Sequence, residues 1–209
     1  MPSYKLIYFP VRARGELIRL VFAVAGQKHE DEVITMDDWA SLKPKMPTGQ
    51  LPVLEVDGKQ LSQSSAIVHY LAREFDMAGH SNLEQCLVTQ VVETAADAFN
   101  EFYENYKLQD VEKDKDKKEE LKKVFVNETI PKFARIFSTF MENSGGENGY
   151  FVGSKLTIAD LAFHDIFTTF IYLNADALKD FPKLAANRQK VEENDDLKQY
   201  LDKRPESLL

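Results

Sequence analysis

The sequence predicts an α+β chain: a small α/β domain over residues 1–79, then an all-helical domain over residues 82–209. Three observations carry this. Strand and helix signals alternate through the first 80 residues, the pattern of helices packed on one small mixed sheet. After Gly79 no alternating strand pattern recurs, and long helical periodicities fill the rest. Charge divides at the same place, with 9 basic and 10 acidic groups in residues 1–78 against 17 and 24 in residues 79–209.

Each element has its own signal. Lys5-Leu6-Ile7-Tyr8-Phe9 is a short apolar run stopped by Pro10, as a strand would be. Leu17, Ile18, Leu20, Val21, Phe22 and Val24 recur at helical spacing, and Gly26 stands where a C-cap belongs. His29 to Thr35 holds Val33 and Ile34 and reads as a second, weaker strand. Val53–Val56, Asp57-Gly58 and Lys59–Ser62 read as a hairpin, because Asp-Gly supplies the positive φ angles of a type I′ turn. Ile67, Val68, Tyr70 and Leu71 mark a helix opening at Ser64.

In the second domain Leu87, Val91, Val92, Ala95, Phe99 and Phe102 form one apolar stripe. A second runs from Leu121 through Phe125 and Phe133 to Phe140, with Pro131 as a local break. Residues Ile158 to Tyr172 are apolar on most faces and predict a buried central helix, opened by a Thr157/Asp160 capping box. The Glu, Lys and Asp run from Val111 to Lys123 reads as a solvated helix face or an inter-helix connection.

Composition narrows the function. With 44% hydrophobic and 11% aromatic residues in 209, the chain can build a real core. A net charge of −8 and an isoelectric point near 5.1 disfavour nucleic acid and anionic membrane as partners. The single cysteine, Cys86, excludes an intrachain disulfide. No signal core follows Met1, and no stretch approaches the roughly 18 apolar residues of a membrane span. The expectation is therefore a cytoplasmic protein. The four histidines show no metal-ligand spacing, no glycine-rich phosphate loop is present, and no nucleophile-elbow motif supports a catalytic triad. No metal is expected.

The β-α-β start, the Leu51-Pro52 step into a strand, the hairpin and the helix at Ser64 together resemble a thioredoxin-like fold. Members that exchange disulfides carry Cys-x-x-Cys after the first strand. Here that place reads Tyr8-Phe9-Pro10-Val11-Arg12-Ala13-Arg14. If such a fold works on sulfur, the sulfur must arrive with a small thiol and meet a tyrosine hydroxyl. Across essentially the whole chain the sequence resembles the sigma-class glutathione S-transferases, a group that includes cephalopod, insect and helminth enzymes and the haematopoietic prostaglandin D synthases. The matching segments are Tyr4-Lys5-Leu6-x-Tyr8-Phe9, Asp38-Trp39, Leu42-Lys43, Met46-Pro47-x-Gly49-Gln50-x-Pro52-Val53-Leu54-Glu55-Val56-Asp57-Gly58, Gln63-Ser64, Gly153-x-x-Leu156-Thr157-x-Ala159-Asp160-Leu161 and Lys203-Arg204-Pro205.

The resemblance implies a homodimeric enzyme that uses glutathione as co-substrate and adds its thiolate to apolar electrophiles. It makes Tyr8 the donor that stabilises the thiolate, since a free thiol with a pKa near 8.5 is mostly protonated at neutral pH. Arg14 is either a source of positive potential beside the sulfur or an ordinary surface ion-pair partner. Trp39 and Lys43 take the glycine carboxylate, Trp39 having plain packing as its alternative. Gly49 and Gln50 assist, and Leu51 pairs through its backbone beside a cis Pro52. Gln63 and Ser64 meet the γ-glutamyl carboxylate at a helix start, where Ser64 could equally be an N-cap.

Asp97, on the stripe of Leu87, Val91 and Ala95 expected at a dimer interface, reaches the ligand's ammonium in the other subunit or serves only structure. The electrophile pocket is assigned to Phe9, Arg12, Arg14, Phe102, Tyr103 and Tyr106. Two departures from the family pattern stand out. Arg12-Ala13-Arg14-Gly15-Glu16 replaces the commoner Arg-Gly-Arg-Ala-Glu, which is expected to alter local stiffness and the electrophile pocket. Ala96 stands where the vertebrate haematopoietic prostaglandin D synthases have an acidic residue of a divalent-metal cluster at the dimer interface, so metal activation is not expected. The alternatives are a glutathione-dependent prostaglandin D isomerase, or a non-catalytic structural or ligand-carrying relative.

Overall fold

The computed structural model describes residues 2–107, 115–144 and 146–205. By its internal contacts the chain forms two compact units, one of residues up to Met77 together with those from Glu192 onward, the other of Ala78–Val191. The division expected from sequence, 1–79 and 82–209, therefore differs at the C-terminal end. The reason is a buried charge. Glu16 is 1% exposed and is met from the far end of the chain by the Tyr200 hydroxyl at 3.1 Å and by the Arg204 guanidinium.

In the first unit strand β1 (Tyr4–Tyr8) pairs in parallel with β2 (Glu30–Val33) and antiparallel with β3 (Val53–Val56), which pairs antiparallel with β4 (Lys59–Ser62). The sheet order is β2-β1-β3-β4. This is the mixed sheet of a thioredoxin-like domain. Asp57 and Gly58 have φ of +49° and +81°, as a type I′ turn requires. Helix α1 (Ala13–Val24) buries Ile18, Val21 and Phe22 and stops where Gly26, at φ +58°, donates its N–H to Ala23. Helix α2 (Met36–Leu42) buries no residue and is opened by Thr35, whose side chain accepts from Asp38 N–H. A 3₁₀ turn, Lys43–Lys45, follows it. Helix α3 (Ser64–Glu74) buries Ile67, Val68 and Leu71.

The second unit begins with α4 (Asn82–Phe102), set by a Ser81/Glu84 capping box. A π-helical turn, Tyr103–Lys107, ends it. Helix α5 (Lys115–Val124) runs into a second π turn, Phe125–Thr129, and α6 (Ile130–Asn143) then starts with Pro131 in its first turn, the break expected there. Of the charged run from Val111, residues 111–114 lie outside the described residues, and the remainder is α5. Helix α7 (Ile158–Leu173) is the buried centre, its Phe163, Phe167 and Phe170 fully covered and ringed by Phe137 and Phe151. Helix α8 (Pro182–Glu192) adds the buried Asn187, which binds the capping carboxylate of Asp160 at 2.8 Å. Helix α9 (Asp195–Lys203) lies on α1 in the first unit.

Candidate functional site

The last residue of β1 is Tyr8. Its ring is buried, 5% exposed, and its hydroxyl oxygen accepts the backbone N–H of Arg14 at 3.1 Å. A hydroxyl that accepts such a bond becomes a better donor of its own proton, because successive hydrogen bonds polarise one another. The loop that leads into α1, and so to Arg14, is tied down. Arg19, 8% exposed, donates to the Val11 carbonyl at 2.9 Å and to Asp31 of β2 at 2.6 Å. Its guanidinium lies 5.8 Å from the Tyr8 ring centre.

Arg14, whose N–H the Tyr8 hydroxyl accepts, lines a cavity of about 490 Å³, while Tyr8 itself is not among the lining residues. Four stretches distant in sequence build its wall: Arg14 at the start of α1, Trp39 and Lys43 around the end of α2, Thr48 to Pro52 before β3, and Gln63-Ser64 at the start of α3. The wall carries two cationic side chains, Arg14 and Lys43, and no carboxylate among its lining residues. Such a wall suits an anionic ligand.

Local structure explains each placement. Trp39 packs edge-on against Phe9, with ring centres 5.5 Å apart, so it both packs and lines the cavity. Gly49 turns at φ +62° and lies against Lys43, where a Cβ would stand 3.8 Å from the lysine Cγ. The Leu51–Pro52 peptide is cis, as expected. Gln63 holds φ +73°, a conformation that costs a non-glycine residue on the order of 1–3 kcal/mol and clusters at functional sites. It is also the N-cap of α3 and gives that helix no side-chain cap. The start of α3 therefore offers backbone N–H groups and the positive end of a helix dipole at the cavity wall. Ser64 is the first helical residue, not the N-cap.

Not every expected residue belongs here. Phe102 is fully buried between the rings of Tyr106 and Phe125, at 5.6 Å from each, so it is core of the second unit and not pocket lining. Tyr103 stacks on Phe99 and is 36% exposed, and burial beside Glu119 raises the Tyr106 phenol above its ordinary value. Arg12 is 6% exposed and caps α1 with its carbonyl, which accepts from Gly15 and Glu16. Asp97 is exposed on α4 and does not line the cavity. Val91 and Ala95, expected at a dimer interface, are buried within the chain because that stripe faces the core of the second unit.

Sequence reasoning passed over Thr48 and the side chain of Pro52 as wall residues. The Gly49 turn between them was the available signal. Among the described residues no three His, Cys, Asp or Glu side chains gather as they would around a metal ion.

Two family models match the chain. Residues 4–73 match the glutathione S-transferase N-terminal domain, and residues 87–204 match the glutathione S-transferase C-terminal domain. The chain is 38% identical to S-crystallin SL11 of Nototodarus sloanii, covering 98% of each. It is 36% identical to the hematopoietic prostaglandin D synthase of Mus musculus, covering 100% of each. Among solved structures it is similar to monomeric Na-GST-3, a glutathione S-transferase of the hookworm Necator americanus, with 36% identity, 98% coverage of each chain and a TM-score of 0.88.

Proposed function

The chain belongs to the glutathione S-transferase family, and from that premise we propose which of its residues take up glutathione and ionise the thiol. The protein is an enzyme that activates glutathione as its thiolate and conjugates it to apolar electrophiles. The observation that carries the residue assignment is the cavity walled by Arg14, Trp39, Lys43, the 48–52 stretch and Gln63-Ser64, which reaches Tyr8 through the Arg14 N–H that its hydroxyl accepts.

Glutathione carries two carboxylates and one ammonium. Lys43 and the Trp39 indole N–H hold the glycine carboxylate. The uncapped start of α3 at Ser64 holds the γ-glutamyl carboxylate, and the Leu51 backbone pairs with the cysteinyl part while Gln50 and Gly49 flank it. Tyr8 donates its hydroxyl proton in a hydrogen bond to the sulfur, which favours the anion and lowers the thiol pKa. Arg14 adds positive potential at the same place. The thiol proton leaves to solvent. The thiolate lone pair then forms a carbon–sulfur bond, and the electrophile's leaving group departs with its electron pair. Rate comes from ionisation and positioning together. On the electrophile side, Phe9 and Arg14 of the first unit are the residues assigned.

The finer reading is a sigma-class, cytoplasmic homodimer. One free thiol, Cys86, and no disulfide suit a reducing compartment. The cavity wall has no carboxylate for the ligand's ammonium, and the exposed Asp97 is assigned that role from the partner subunit. Prostaglandin isomerisation by the same thiolate is the second reading, favoured by the full-length similarity to the mouse synthase.

The test is retention on immobilised glutathione, then conjugation assays with an activated aryl chloride and an epoxide, and a separate isomerisation assay with a prostaglandin endoperoxide. The assignment expects retention and thiol-ether product, both lost together in Lys43→Ala/Ser64→Ala. Retention and turnover unchanged in that variant would overturn it.

A further inference from the structure

Two residues at the start of α1 run against local backbone preference. Ala13 adopts φ +33°, in the left-handed region that favours glycine, while Gly15 sits buried inside the helix, where alanine is the better residue. Tyr8 explains the second. A Cβ on Gly15 would stand 2.3 Å from Tyr8 Cδ1, 2.8 Å from Cε1 and 3.0 Å from Cγ. Carbon atoms pack at about 3.5–4.0 Å, so alanine would demand a movement of roughly 1 Å.

Neither neighbour yields easily. The ring hangs from the buried end of β1, its hydroxyl is held by Arg14 N–H, and Arg19 lies near it, fixed in turn by Asp31 and the Val11 carbonyl. The first turn of α1 is fastened by the Arg12 carbonyl, which accepts from Gly15 at 3.1 Å and Glu16 at 2.9 Å. Its bend is already taken up at Ala13.

We propose that Gly15 is a positioning residue of the transferase reaction. Its missing Cβ lets the Tyr8 ring lie on the first turn of α1 and so fixes where the hydroxyl points. Ala13 holds that turn in place, so positions 13 and 15 are coupled. This rests on Tyr8 as the thiol's hydrogen-bond donor.

The experiment titrates bound glutathione by the ultraviolet absorbance of its thiolate and measures glutathione affinity by calorimetry. The proteins are wild type, Gly15→Ala, Ala13→Gly/Gly15→Ala, Tyr8→Phe and Tyr8→Phe/Gly15→Ala. Gly15→Ala should raise the bound thiol's pKa so that the thiolate fraction at pH 6.5 falls about tenfold. Affinity should change less than about threefold, since Gly15 is not among the residues that line the cavity. Adding Ala13→Gly frees the turn and should recover most of the thiolate. In the Tyr8→Phe background Gly15→Ala should change nothing further.

A wild-type thiol pKa in Gly15→Ala, alongside a raised one in Tyr8→Phe, would overturn the proposal. An unchanged pKa in Tyr8→Phe overturns the donor reading itself, and this inference with it. If Gly15→Ala alone does not fold, the Ala13→Gly pair decides: a folded pair supports the coupling, and an unfolded one overturns it.

Discussion

Replacing Asp160 by alanine should remove a large part of the second unit's stability. Its Oδ1 accepts from Phe151 N–H at 2.9 Å and from the Asn187 amide at 2.8 Å, while Oδ2 accepts from Thr157 N–H at 2.8 Å and from the Thr157 hydroxyl at 3.0 Å. The carboxyl is fully buried, and burial pushes its pKa up against the pull of those donors. Alanine leaves three buried N–H groups without their acceptor. Each such loss costs about 1–3 kcal/mol, and because neighbouring losses relax together, about 3–5 kcal/mol is expected for the variant. A domain holds only about 5–15 kcal/mol in all.

The partner change Asn187→Ala, which loses bonds to Asp160 and to the Gly149 carbonyl, should cost about 1–2 kcal/mol. The double variant should cost less than the two singles summed. Urea unfolding followed by far-ultraviolet circular dichroism reads this, since Trp39, the only tryptophan, belongs to the other unit. A loss under about 1 kcal/mol in Asp160→Ala would refute the reasoning.

Two further outcomes are expected. His29 stacks on Phe22 at 4.3 Å, and burial lowers its pKa, opposed by Asp31 and a backbone bond with Gln27 and aided by Arg19. Its folded pKa lies below the unfolded value near 6.5, so stability falls as pH drops through 6.5 toward the folded pKa. The thermal midpoint of wild type should fall more steeply over that window than that of His29→Gln, and parallel curves would refute it. A mixed dimer of Asp97→Ala and Ser64→Ala chains should keep half of its sites normal if Asp97 serves the partner's site. Asp97→Ala alone should weaken glutathione binding roughly ten- to hundred-fold, on the order of 1.5–3 kcal/mol. The absence of a normal half, or a protein that sediments as a monomer while binding glutathione fully, would contradict the shared site.

What the sequence made legible follows from where physics leaves a local mark. Asp57-Gly58 marks its hairpin because few other pairs accept two positive φ angles, and both strands took their expected bounds. Helix α2 escaped periodicity because it buries nothing and so shows no apolar face. Helix α1 is legible in the sequence only from Leu17 onward, since its first turn, Ala13-Arg14-Gly15-Glu16, carries no large apolar side chain. The π turn Tyr103–Lys107 takes Tyr103 and Tyr106 off a simple helical count, and Phe102 was assigned to a pocket although its stripe faces inward. The bond between Arg204 and Glu16 joins residues 188 apart, and no local pattern announces it. The cavity wall was legible only through resemblance, because Trp39, Lys43, Gln50 and Gln63 share no spacing and meet only through the fold.

The most direct test is the thiol pKa of bound glutathione in wild type and Tyr8→Phe, read by ultraviolet titration. The account predicts a bound pKa in wild type below the value near 8.5 of an ordinary thiol. In Tyr8→Phe it should return toward that value, with affinity nearly intact and conjugation slowed by roughly 10²-fold or somewhat less. A Tyr8→Phe protein that binds glutathione with the wild-type thiol pKa would contradict the claim that this hydroxyl ionises the substrate.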